Sequence, residues 1–188
     1  MDPTLILEAD HRVVERLIEQ ISEAEGAART KLVEQLATTL DAHMELEERV
    51  FYPAMEPGTG PDSVDEGETE HVITRSALAD VVELCPDGPG FEAALDTMQA
   101  AIDHHVKDEE DEIFVQMRSK GRGQLEEMTE PFMAKRAELG MVIDVEALAE
   151  TASKDDLKAE ADAAGIEATA SMTKSELAGA LADVAGAG

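Results

Sequence analysis

Two phrases in this chain could do metal chemistry. One reads H-M-E-L-E-E-R-V-F-Y from His43 to Tyr52, the other H-V-K-D-E-E-D-E-I-F from His105 to Phe114. Aligning His43 with His105 sets Glu47 on Glu109, Glu48 on Glu110 and Phe51-Tyr52 on Ile113-Phe114. Residues i and i+4 of an α-helix share a face about one turn apart, so the imidazole and carboxylate of each HxxxE can converge on one point. In a chain with 43 Asp and Glu, one HxxxE alone carries little weight. The weight comes from the duplication.

Two further histidines match it. His11 precedes His43 by 32 positions and His71 precedes His105 by 34, each after an acidic stretch, LEADH and ETEH. The pattern is a duplicated helical hairpin, each copy with one lone histidine and one HxxxE. Two metal centres follow, each with two imidazole nitrogens, the glutamates bridging between them. Imidazole with carboxylate suits iron, manganese or zinc rather than thiolate-seeking metals. Without metal, burying six such polar groups would cost on the order of 1 to 3 kcal/mol each if unpaired, so metal binding and stability should be linked.

Helices must position these residues. Apolar residues recur at helical spacing from Thr4 to about Ala24, opened by Asp2-Pro3, and from about Ala27 to Met55, where Pro53 should kink or stop the helix. PGTGPDSVDEG (57 to 67) reads as a loop. A third helix is expected from about Ser63 to Cys85, stopped by PDGPG, and a fourth from about Phe91 to Ser119. The fold class is therefore all-α, an up-down-up-down four-helix bundle over residues 1–120, a known host of dinuclear carboxylate sites. Residues 121–141 form a connecting helix interrupted at Pro131, and 142–188 an Ala- and Gly-rich extension.

Composition excludes other classes. Fifteen Lys and Arg stand against 43 acids, a net charge of −28, which excludes nucleic acid as the main partner and disfavours anionic membrane surfaces. With 43% hydrophobic residues at helical spacing the chain should fold rather than stay disordered. No stretch is apolar enough to span a bilayer, the N-terminus lacks a signal-peptide pattern and Cys85 is the single cysteine, so a cytoplasmic location is expected.

The two phrases and the lone histidines resemble the hemerythrin-like family of HHE cation-binding domains, over about residues 4 to 119. The resemblance implies a four-helix bundle with two iron ions, oxo- or hydroxo-bridged, and with His11, His43, Glu47, His71, His105 and Glu109 as ligands. Oxygen carriers of this family have a further histidine one turn after the third-helix histidine. Here that position is Arg75, and the fourth-helix carboxylate is Glu109 rather than Asp. A lost ligand leaves an open coordination position, which suits catalysis over simple oxygen storage. The small molecules implied are O₂, NO or H₂O₂, with catalase-like disproportionation of peroxide as the leading activity. The alternative is a non-catalytic iron or oxygen sensor or storage protein.

Neighbouring residues carry their own expectations. Tyr52, nine positions after His43, points nearly opposite to it on an ideal helix and should pack at the helix end. Unwinding ahead of Pro53 would instead swing its phenol toward the metals as a nearby donor or weak ligand. His104 should face solvent or a neighbouring helix, Glu48, Glu110 and the other acids of DEEDE (108 to 112) a solvated surface, and Met44, Met98 and Met117 the core. Residues 152 to 181 read as helix, extended loop, helix, with Ser153 and Thr173 as N-caps, Gly165 as a stop and Leu157, Ile166, Leu177 and Leu181 as a small core. This segment resembles the N-terminal helical module of transcription termination factor Rho and SAP-like modules. Its acidity points to a protein contact through 142–188, or a flexible solubilising tail, rather than nucleic acid.

Overall fold

The computed structural model describes residues 1–186, and among them no strand forms. Helix α1 (Pro3–Glu23) starts where the Asp2 side chain accepts from the Thr4 amide and Pro3 needs no donor. Helix α2 (Gly26–Leu46) runs into a π-helical turn, Glu47–Phe51, and on into α3 (Tyr52–Thr59). Helix α4 (Pro61–Leu84) pairs with α5 (Phe91–Asp108). A second π turn, Glu109–Ile113, leads to α6 (Phe114–Lys120).

Two expectations need correction here. Pro53 does not stop the second helix: it lies in the first turn after the π segment, where the wider turn has already broken the ordinary ladder of amides. The segment 57 to 67 is almost wholly helical, and only Gly60 breaks it, at φ +94°, a conformation that side chains resist. Pro61 then opens α4 from a position where a missing amide hydrogen costs nothing.

Helix α7 (Arg122–Glu138) also differs from expectation, because it passes through Pro131 without interruption. Pro131 lies on the exposed side, as does Glu127, whose carbonyl the proline leaves free for water. The buried side of α7 lays Leu125, Met128 and Phe132 over Phe51, Tyr52 and Phe114 and so closes one end of the bundle. A second apolar cluster, including Val14, Leu36, Leu40, Val81, Leu95 and Ile102, fills the other half. The histidines and the two leading glutamates lie between these clusters along the chain's helices. Met44, Met98 and Met117 are buried in the apolar clusters.

The C-terminal segment forms α8 (Val145–Thr151), α9 (Lys154–Ala163), a 3-10 turn (Thr169–Ser171) and α10 (Lys174–Gly186). Ser153 caps α9, Gly165 takes φ +76° just past its end, and Thr173 forms a reciprocal cap with Glu176. Leu157, Leu177 and Leu181 are buried together with Leu5 and Ala9 of α1, with Ile166 packed against them. Arg16 of α1 adds an ion pair to Asp144 at 2.9 Å. Among the described residues no helix is long and apolar enough to cross a membrane.

Candidate metal centre

The fold gathers the predicted side chains at mid-bundle. His11, His43, Glu47, His105 and Glu109, all buried, offer ligand atoms within 4.8 Å of one another. His71 adjoins this group, its Nε2 3.2 Å from Glu47 Oε2. The imidazoles fall into two pairs: ring centroids are 5.0 Å apart for His11 and His43, and 4.9 Å for His71 and His105.

Each glutamate reaches both pairs. Glu47 places Oε1 3.1 Å from His43 Nε2 and Oε2 3.2 Å from His71 Nε2. Glu109 Oε2 lies 3.4 Å from His11 Nε2 and 3.7 Å from His105 Nε2. These contacts are not aligned for hydrogen bonding. Nε2 of His11, His43 and His105, both Glu47 oxygens and Glu109 Oε2 are buried without any hydrogen-bond partner. A buried group so left costs about 1 to 3 kcal/mol, and here six such atoms belong to residues of one cluster. A cation among them satisfies all at once, and the imidazole and carboxylate donors fit iron, manganese or zinc.

The profile of the hemerythrin HHE cation-binding domain matches residues 2–117. The chain belongs to this family. Membership implies metal binding, and the match ends before α7, so it says nothing of residues 142–188. No curated protein and no solved structure matches the chain.

What the sequence did not disclose in this hemerythrin domain is a second ring of carboxylates. His11 Nδ1 lies 2.8 Å from Glu110 Oε1, and His71 Nδ1 2.9 Å from Glu48 Oε1. His105 Nδ1 lies 3.0 Å from Glu70 Oε2, and His43 Nδ1 faces Asp10 at a longer 3.8 Å. Metal-binding histidines are held in this way, a carboxylate on one ring nitrogen fixing the tautomer that offers the other. Glu48 and Glu110 are therefore not part of a solvated face, as expected, but half-buried partners of both a histidine and an arginine. Glu48 accepts from Arg75 at 2.7 Å and Glu110 from Arg12 at 2.6 Å. Asp10 is gripped by both terminal nitrogens of the buried Arg136 from α7. The signal was present in the duplication: Asp10 and Glu70 directly precede the lone histidines, and Glu48 and Glu110 directly follow the HxxxE glutamates.

Charge supports a cation here. Six carboxylates (Asp10, Glu47, Glu48, Glu70, Glu109, Glu110) meet three guanidiniums (Arg12, Arg75, Arg136), leaving three negative charges when the imidazoles are neutral. In the metal-free protein protons answer that excess. Burial disfavours a charged His43, but the Glu47 and Asp10 carboxylates outweigh it and raise its pKa to about 10. Burial likewise opposes charge on His105, and Glu109 and Glu70 carry it up to about 9. Glu47 is held well below the ordinary carboxylate range, despite burial, by His43 and His71.

Tyr52 sits inside the centre rather than at a packed helix end. Its Oη donates to Glu109 Oε1 at 3.1 Å, lies 3.2 Å from His71 Nε2, and its ring stacks on that imidazole. The π turn is responsible: one extra residue in the turn moves Tyr52 from roughly 180° to roughly 80° around the axis from His43. Space comes from Gly67, where an added Cβ would fall 2.7 Å from Tyr52 Oη. Burial, with Glu109 and Glu47 nearby, pushes the phenol well above its usual pKa, so it stays protonated without metal. Phe114 is its counterpart in the other repeat and stacks on His11 with planes 8° apart. His104 is outside the centre, 64% exposed and 3.4 Å from Glu70.

Proposed function

We propose that the centre holds two iron ions, oxo- or hydroxo-bridged, one against His11 and His43, the other against His71 and His105, with Glu47 and Glu109 between. The observation that supports this most is that each glutamate touches one imidazole of either pair. When bound, a two-iron centre supplies two-electron redox chemistry without an organic cofactor. Its ligand or substrate is O₂, NO or H₂O₂, and the leading activity is disproportionation of two peroxides to O₂ and two waters.

The chain's residues supply the surroundings for that chemistry. Tyr52 brings a hydroxyl to the His71 side, whereas Phe114 brings none to the His11 side. Arg75, at the position where oxygen carriers hold another histidine, is bound to Glu48. Glu47 and Glu109 can accept and return protons at their carboxylate oxygens. Apolar walls on both sides exclude bulk water. A cytoplasmic setting is part of this reading, in keeping with a single cysteine.

Sensing is the second reading, and one contact favours it. Arg136 binds Asp10 beside His43 and also donates to the Val142 carbonyl at 3.2 Å, tying the centre to the start of the C-terminal segment. That segment would then report metal occupancy to a protein partner. Iron-loaded protein separates the two: repeated O₂ evolution from peroxide without iron loss supports the enzyme. Inertness, with metal-dependent protease resistance of residues 142–186, supports the sensor.

A further inference from the structure

Next to the imidazoles lies a small cavity of about 10 Å³, enough for roughly one water-sized molecule. Its walls repeat the internal duplication. Leu40 and Ile102 stand three positions before His43 and His105, and Met44 and Val106 stand one position after them. Val14 and Thr74 stand three positions after His11 and His71. The last pair alone breaks the apolar symmetry, since valine and threonine share a shape and differ by a hydroxyl.

That hydroxyl is unused. Thr74 is 3% exposed and its Oγ1 has no hydrogen-bond partner. Five other helical threonines behave differently: Thr30, Thr59, Thr69, Thr97 and Thr129 each return the hydroxyl to the carbonyl four residues back. A buried hydroxyl without a partner is a standing cost that a valine would remove. Its placement is also opposite to Tyr52 along α4, because Gly67, which admits the phenol, is one turn before His71 and Thr74 nearly one turn after.

We propose that Thr74 is a specificity-determining residue of the cavity, donating a hydrogen bond to the outer atom of a diatomic or peroxide ligand of the metal centre. It favours ligands whose far atom accepts a hydrogen bond and leaves the rest of the chamber dry. This rests on the two-iron reading above.

Nitric oxide titrated anaerobically into the iron-loaded, reduced full chain tests it, with iron content measured first and the bound N–O stretch read by infrared spectroscopy in H₂O and D₂O. Thr74→Val should weaken nitric oxide binding roughly three- to tenfold, the worth of one hydrogen bond. It should also shift the N–O frequency, abolish the solvent-isotope shift and raise the melting temperature of the metal-free protein. Thr74→Ser should restore wild-type affinity and isotope shift. Unchanged affinity and frequency in Thr74→Val overturn the proposal, as does a two-iron wild type that takes up no nitric oxide. Wild-type protein that fails to load two irons overturns the reading beneath it and the proposal with it.

Discussion

The phenol oxygen of Tyr52 stands 3.2 Å from His71 Nε2, although the two residues belong to different helices and Tyr52 lies nine positions beyond His43. A π turn that begins at Glu47 rotates it there, and the missing side chain of Gly67 receives it. Gly67→Ala should therefore expel the phenol. The expected cost is about 1 to 3 kcal/mol, the usual range for overpacking, checked by thermal denaturation of the metal-free protein. The ultraviolet and visible spectrum of iron-loaded Gly67→Ala should match that of Tyr52→Phe and differ from wild type; a wild-type spectrum in Gly67→Ala would refute the placement.

Arg136 and Asp10 form a buried ion pair between α7 and α1. Arg136→Met leaves the buried Asp10 only its longer contact with His43, at 3.8 Å, and breaking a buried pair costs about 3 to 5 kcal/mol. Adding Asp10→Asn removes the Asp10 charge, so the double variant should recover part of the loss. Urea denaturation of the two variants checks this, and equal stability would mean that the pair is not buried as described.

The outer carboxylates should matter nearly as much as the ligands. Glu48→Ala and Glu110→Ala each release a histidine ring and an arginine, and lost support of this kind lowers metal affinity about 10- to 100-fold. The repeat makes the two losses similar in size. Chelator competition measures both, and an unchanged affinity in either variant would return that glutamate to the solvated surface.

Much of this was legible in the sequence, and the reasons for the misses are local. Helical periodicity and the repeated HxxxE led to an all-helical chain and to the residues that cluster. The π turns were not legible, because a one-residue excess leaves the i, i+4 spacing of His43 and Glu47 intact and shows only downstream, at Tyr52. Glu48 and Glu110 were hidden by abundance: in so acidic a chain, two more glutamates looked like surface. Gly67 and the helical 57 to 67 segment were hidden by turn-forming composition, since Pro57 and Pro61 read as loop residues until Pro61 is seen to start a helix.

Alkali should weaken the metal-free protein. His43 and His105 have raised folded-state pKa values, about 10 and about 9, so between an unfolded value of about 6.5 and these limits the folded state holds more protons. Their contribution is fully present below about pH 6.5 and is lost as pH rises through about 9 to 10. Melting temperature should fall over that window for metal-free protein and less for loaded protein, where cations replace the protons. By the same account, metal uptake at pH 7 should release protons into weakly buffered solution.

The most direct test of the two-metal centre is metal analysis of the purified full chain after anaerobic loading with ferrous iron and removal of excess. Two irons per chain are expected for wild type, with His43→Ala falling well below two. One iron or fewer in wild type, or full loading of His43→Ala, would contradict it.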